Sequence, residues 1–383
     1  MRLDRLAKTA TLPNGMSVHY VSPPDVQFLY HEIFEEECYL QHGVRLDPDD
    51  VVIDVGGNIG MFAMFAARRC YRGRVITFEP IPPTYEALRR NARENLGGPS
   101  SAESGKGIER GGDVVSPEEG LGRQMPARDQ PVGFPDAGGD GDRYGGRVDC
   151  GPAGAIYAYN CGVSDGAEAS ARFTFYPRAA GWSTMCPDDD ETADNVTRFV
   201  EAALGGDRGS GGVENTPLAA FGRWLLSAER PGDVEVGSGG VLAAVTRAAR
   251  RLARLVFTAV MGAVLKYLLS VRREFDCPLV TVSDVMQRHG IGGDGGAPGR
   301  GVGLLKVDVE RAELAVLRGV SPRDWPVIRQ VAMEVHSHEL EAVKELLVGV
   351  GGFEPERLVV EQPPGLEGTT LWNLYASRAR ATA

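Results

Sequence analysis

The stretch that most constrains this chain is VVIDVGGNIGMF, Val51–Phe62. Val51–Val55 is short and mostly β-branched, as expected of a strand buried on both faces. Gly56, Gly57 and Gly60 then allow a sharp turn and the close approach of another group to the backbone. Met61–Ala67 is apolar on every side and reads as a buried helix, ended by Arg68 and Arg69, where cations suit the helix C-terminus. Strand, glycine turn and helix N-terminus form the general cradle of a nucleotide-containing cofactor. The alternative is a plain βα turn of a doubly wound sheet with no ligand.

Spacing narrows the choice. A P-loop needs a lysine followed by Ser or Thr after its glycines, and a dinucleotide site has G-x-G-x-x-G. Here Asp54, Gly56, Asn58 and Gly60 make D-x-G-x-N-x-G, which looks like the first motif of class I S-adenosylmethionine (SAM) methyltransferases. RVITFEP reads as the next strand, ending in Glu79. Its carboxylate can accept both ribose hydroxyls, although dinucleotide folds use the same device. PPTYEALRRNAREN follows as a helix with Thr84 as its N-cap. Near the end, RLVVEQ and LWNLYASR read as two strands whose Pro/Gly connection is too short for a crossover helix. An antiparallel closing hairpin is the class I methyltransferase ending and counts against a nicotinamide-dependent oxidoreductase. The expected fold class is therefore α/β: a Rossmann-like, doubly wound, mostly parallel seven-stranded sheet with an antiparallel terminal hairpin.

The 383 residues suffice for one large or two modest domains. A net charge of −11 argues against a nucleic-acid partner. Six cysteines lack any C-x-x-C spacing, so neither zinc nor a disulfide framework is indicated. The first residues carry no apolar signal-peptide core, and a cytoplasmic location is expected. Residues 1–49 read as an N-terminal hairpin and helix cap on a domain spanning 50–378. Residues 97–150, dense in Gly, Pro and acids, read as a disordered insertion. Residues 187–272 read as a helical insertion and candidate lid. Within it, 241–275 is helical in composition, and its apolar run is short and interrupted by Lys266. A cap over the substrate cleft, a membrane-surface helix and a partner-binding helix are all compatible with it, the first being preferred.

AIYAYNCGVSDG reads as a strand and turn with ASARFTFYP as its hairpin partner, and Thr281–Gly290 as a short helix capped by Ser283. Leu304–Val309 is the expected fourth strand, with Lys306 and Asp308 at its C-terminal end; the fifth ends in Glu334 and His336. Ligands of open α/β sheets lie outside the carboxyl ends of the strands, which makes these four the candidate catalytic residues. His336 is the best base on its ordinary pKa, with a helix-capping histidine as the alternative. Asp308 and Glu334 orient it or the acceptor, or else bind magnesium; the metal-free arrangement is preferred. Glu310 is expected to be exposed at the start of the next helix. His31 and Glu32 can reach the same cleft, although nothing in the local pattern requires it.

Taken in order, VVIDVGGNIGMF, VITFEP, NCGVSD, LLKVDVERAELAVLRG, MEVH and NLYASR resemble the FkbM family of SAM-dependent methyltransferases. YHEIFEEECYLQHGVRL is similar to the subgroup found in or beside polyketide and non-ribosomal peptide assembly lines. The resemblance implies SAM held by Asp54, Gly56, Asn58, Gly60, Glu79, Ser164 and Asp165. It implies methyl transfer to a hydroxyl of a sugar, lipid or polyketide-like acceptor, free or carrier-bound. Two positions depart from the family pattern: Gly57 precedes Asn58 where alanine is usual, and Arg311 follows Glu310 where glycine is usual. The arginine is expected to narrow the cleft or touch substrate. A catalytically silent SAM-binding scaffold is the other reading, and the oligomeric state is left open.

Overall fold

The computed structural model describes residues 8–96, 145–148, 155–188, 266–292, 301–363 and 368–379, with isolated positions between 190 and 264. The chain opens with a hairpin, β1 (Lys8–Thr11) and β2 (Ser17–Tyr20). Helix α1 (Pro23–Tyr30) runs directly into a π-helical turn over His31–Glu35 and a 3₁₀ turn over Cys38–Leu40. The first half of the main sheet is β3 (Val51–Val55), α2 (Met61–Arg69), β4 (Arg74–Phe78), α3 (Pro82–Leu96), β5 (Gly145–Val148) and β6 (Ala155–Tyr159). Short strands β7 (Gly162–Val163), β8 (Ser170–Phe175) and β9 (Arg273–Val280) follow, then α4 (Val282–Arg288). The second half is β10 (Val302–Val307), α5 (Glu313–Arg318), β11 (Gln330–His336), α6 (Leu340–Gly349), β12 (Leu358–Glu361) and β13 (Leu371–Ser377).

The main sheet has the order β12-β13-β11-β10-β3-β4-β6-β5. β3, β4, β6, β10 and β11 are parallel, and β13 runs antiparallel to both of its neighbours. Every residue of β3 and β10 is buried, which is why these strands read as continuous apolar runs. The chain builds outward from β3 through β4 to β6, then returns to the other side of β3 with β10. The switch point between β3 and β10 is where a doubly wound sheet opens its crevice. Helices α2 and α3 and the N-terminal residues Leu12, Val18, Val26, Ile33 and Tyr39 share one apolar core. Residues of α4, α5 and α6 share another.

The structure corrects several expectations. An eighth strand, β5, pairs antiparallel at the sheet edge and comes from inside the segment read as a disordered insertion; most of 97–144 lies outside the described residues. ASARFTFYP does not pair with β6. It forms β8, which pairs with β9, and β9 begins inside the segment read as helical. The cap of α4 is Thr281, not Ser283: Asp284 N donates to Thr281 Oγ1 at 3.0 Å and Thr281 N to Asp284 Oδ2 at 3.1 Å. Ser283 instead donates to Asp324 Oδ2 at 2.6 Å. α3 starts at Pro82, so Thr84 lies inside its first turn rather than capping it. Of the 241–275 helix, most residues lie outside those described; Val256, Val260, Val264 and Tyr267 are exposed. Among the described residues, no helix is long and apolar enough to cross a membrane.

Candidate active site

The switch point holds the site together through backbone contacts. Gly56 has φ +84°, and a Cβ there would lie 1.8 Å from the Asp308 carbonyl oxygen, so only glycine fits. Asp308 N donates to Val55 O at 3.0 Å, and Lys306 Nζ donates to Gly56 O at 2.9 Å. The glycine loop and the end of β10 are thus one unit. The cleft beside them, open to solvent, is lined by Gly56, Asn58, Glu79, Asp308 and Glu310. Cys161, Gly162 and Val163 line it too, as do Ala180, Gly181, Ser183 and Thr184.

The loop half is built from Glu79. Its Oε2 accepts from Asn58 N at 3.0 Å and its Oε1 from Ile81 N at 2.8 Å. Burial pushes its carboxyl up to about 8, against the pull of these two amides. Asn58 takes a left-handed conformation, φ 46°, and its Oδ1 is buried without a hydrogen-bond partner. A buried orphan acceptor beside a carboxylate suits a ligand rich in O–H and N–H donors.

Three residues expected to hold the cofactor are not among those lining this cleft. Asp54 is fully buried: Thr77 Oγ1 donates to its Oδ2 at 2.7 Å, and Lys306 Nζ is 3.2 Å from its Oδ1. It supports the loop from beneath and does not line the cleft. Ser164 is buried beside β9, its N–H donating to Val280 O at 2.9 Å, and the exposed Asp165 accepts from Ala167 N at 2.9 Å. The wall there is made by the preceding residues, Cys161–Val163.

The other half is rich in carboxylates. Lys306, 2% exposed, is a tie between Gly56 O, Asp54 and Asp308 rather than a group at the cleft surface. Burial works against its charge, but Asp308 and Asp54 outweigh it and raise its pKa. Asp308 Oδ2 accepts from Tyr39 Oη at 2.9 Å and lies 3.2 Å from Lys306 Nζ. Glu334 stands in β11, where burial and then the Asp308, Glu310 and Glu32 carboxylates push its pKa well up. Glu310 is not exposed as expected but half-buried in the cleft wall; burial lifts its carboxyl to about 7. Its displacement follows from Arg311, which takes φ 66° and breaks the path from strand to helix. That left-handed conformation explains why glycine suits this position. The Arg311 side chain does not line the cleft but turns away, Nε donating to Glu191 Oε2 at 3.0 Å.

His336 is 1% exposed and does not line the cleft. Its Nδ1 is 2.9 Å from Glu313 Oε1 and its Nε2 is 3.5 Å from Glu310 Oε2. Burial lowers its pKa, with Glu310 pulling the other way. Two members were missed or left open by the sequence. Glu32 comes in on the π-turn, where burial and the Asp308 charge lift it to about 7. Tyr39 follows on the 3₁₀ turn; an aromatic amid acids, EEECYL, was the only signal. Among the described residues no group of three or more His, Cys, Asp or Glu is arranged to hold a metal ion.

No family model matches the chain, and no solved structure matches it. The 31-O-demethyl-FK506 methyltransferase FkbM of Streptomyces tacrolimicus is 31% identical over 378 residues, 98% of this chain and 99% of that protein. The AMB antimetabolite synthetase AmbE of Pseudomonas aeruginosa is 25% identical over 374 residues, 96% of this chain but 12% of the synthetase. Methyltransferase sdnD of Sordaria araneosa is 24% identical over 322 residues, 83% of this chain and 78% of its own length. With nearly the full length of both proteins aligned to the first of these, the chain belongs to the FkbM family of methyltransferases.

Proposed function

We propose that the protein is an O-methyltransferase that takes its methyl group from SAM and delivers it to a hydroxyl of an uncharged small-molecule, sugar, lipid or polyketide-like acceptor. One observation carries the reading: Asn58 and Glu79 meet Asp308 and Glu310 in a single cleft at the switch point. Glu79, Asn58 and the Gly56–Gly60 backbone would hold SAM, the orphaned Asn58 Oδ1 supplying an unused acceptor. Bound there, SAM supplies an electrophilic methyl group.

The chain's own residues then position the acceptor and take its proton. A hydroxyl is a weak nucleophile until its proton is drawn off, which favours a base with a pKa near neutrality. Glu310, at about 7, stands in the cleft wall and receives that proton. With Nδ1–H of His336 donated to Glu313 Oε1, Nε2 is placed to accept from Glu310 Oε2 once Glu310 carries the proton, which then leaves to solvent through the open cleft. His336 is thus a partner behind the base. Tyr39 and Lys306 fix Asp308 Oδ2, so the other oxygen orients the acceptor hydroxyl. Glu32, Glu310 and Glu334, whose pKa values burial raises, stand with Asp308 as hydrogen-bonding carboxyl groups, a setting that suits an uncharged acceptor because a further phosphate or carboxylate would lose solvation there. The FkbM relative's name, with its 31-O-demethyl substrate, supports oxygen as the acceptor atom. The match to one part of a synthetase supports including acceptors tethered to a larger synthetic enzyme.

The test is incubation with trideuteromethyl SAM and an extract of the source organism, read by mass spectrometry. A trideuteromethyl ether supports the reading. Label on nitrogen or carbon, or no transfer at all, contradicts it.

A further inference from the structure

The cleft has a second wall, and its anchoring plays no part in the chemistry described above. Beyond Phe175 the chain forms a strap that returns at Thr184, which bridges back to Thr174. Ala180, Gly181, Ser183 and Thr184 of this strap line the cleft opposite the glycine loop. At one end Thr184 Oγ1 donates to the Glu310 carbonyl. At the other, the strap is clasped by helix α1 of the N-terminal cap. Gly181 N donates to Asp25 Oδ2 at 3.0 Å. Ser22 Oγ is 3.1 Å from Asp25 Oδ1 and 3.1 Å from the Arg178 carbonyl.

Ser22 and Asp25 stand at the N-cap and N3 positions of α1, the spacing of a capping box. Elsewhere in this chain the same spacing, Thr281 and Asp284, closes a reciprocal box at the start of α4. In α1 the box is not made: Ser22 gives no side-chain cap to its own helix, and both side chains face the strap. Two prolines in the first turn remove backbone donors that a cap would otherwise serve. The pair therefore serves a tertiary contact in place of a local one. Burial lifts the Asp25 carboxyl to about 6, against the Ser22 hydroxyl and the Gly181 and Ala180 amides that favour its charge.

We infer that Asp25 is a positioning residue for the cofactor cleft: acting through Gly181, it holds the strap as the outer wall and so slows the escape of the bound nucleoside. The inference rests on the proposal that SAM, and hence S-adenosylhomocysteine, occupies this cleft. Asp25 itself touches neither.

The experiment uses the full chain and S-adenosylhomocysteine as probe, with dissociation followed by stopped flow and melting temperatures recorded alongside. Asp25→Ala should release the probe about tenfold faster, equivalent to about 1.4 kcal/mol. Asp25→Asn keeps an oxygen for Gly181 N and should stay within about twofold of the parent. Ser22→Ala, which leaves Asp25 in place, should fall between them. Release from Asp25→Ala within twofold of the parent, even with a lower melting temperature, overturns the inference. So does Asp25→Asn releasing as fast as Asp25→Ala. If Asp25→Ala does not fold, Ser22→Ala decides, and unchanged release there overturns it. If the parent binds no S-adenosylhomocysteine, the cofactor reading itself fails; binding by the parent with unaltered variants fails only the clasp.

Discussion

The two halves of the cleft are built in opposite ways. The loop half is local: Asn58 N and its partner Glu79 Oε2 are 21 residues apart, joined by one strand–helix–strand unit. Its working parts are backbone amides and one carboxylate, and its glycine meets the β10 backbone directly. The carboxylate half is assembled from distant pieces: Tyr39 reaches Asp308 across 269 residues, and Glu310, in the turn after β10, meets His336 at the end of β11. The first half depends on close backbone packing, which tolerates no added atom. The second depends on titratable side chains whose properties come from one another. Damage should therefore separate: one half governs binding, the other turnover.

The largest expected effect tests that separation on the carboxylate side. Glu310→Gln and His336→Ala should each lose turnover by about 10²–10⁴-fold while holding S-adenosylhomocysteine within a few-fold of the parent. Turnover of either variant within a factor of a few would remove it from the proton path. On the loop side, Gly56→Ala places a methyl against the Asp308 carbonyl at a positive φ. It should destabilise the fold at the upper end of the usual ~0.5–3 kcal/mol range, read by urea denaturation; a parental midpoint would mean that the loop and β10 are not locked together. Tyr39→Phe deletes one hydrogen bond to Asp308. A hydrogen bond to a charged group, about 1.5–3 kcal/mol, corresponds to about a ten- to hundredfold loss of turnover with cofactor affinity untouched. An equal loss of affinity would join the two halves after all.

The smallest effect is on pH and stability. Glu32 and Glu310 are pushed up to about 7 and Glu79 to about 8. A carboxyl raised on folding stabilises fully below its ordinary pKa, and that contribution is lost as pH rises through the folded value. Glu32→Gln cannot ionise, so its melting temperature should gain on the parent between about pH 5 and pH 8. Parallel curves would show that Glu32 is not held in the acidic cluster.

Much of the fold was legible because its signals are local. Parallel strands buried on both faces read as apolar runs, and the short final connection announced an antiparallel partner for β12. β9 was hidden because its polar first residues, Arg273, Glu274 and Asp276, continue the composition of the helical segment before it. Asp54 was read as a ligand contact because a strand-end acid and a buried support for the loop look identical in sequence. Glu310 was misplaced for a sharper reason: nothing in VDVERAEL shows that Arg311 takes a left-handed turn. Glu32 depended on the π-turn, whose wider spacing rotates the residues after Tyr30 relative to an α-helix. The loop half thus has a local sequence pattern that can be followed along one strand–turn–strand unit, whereas the carboxylate half shows in the sequence only as a neighbourhood.

The most direct measurement compares two carboxylates of the same cleft by titration calorimetry with S-adenosylhomocysteine. Glu79→Ala removes the carboxyl that would accept both ribose hydroxyls, hydrogen bonds worth about 1 kcal/mol each, so affinity should fall at least about tenfold. Glu310→Gln should bind within about threefold of the parent. Equal losses in the two variants, or a loss confined to Glu310→Gln, would contradict the division of the cleft into a binding half and a proton-handling half.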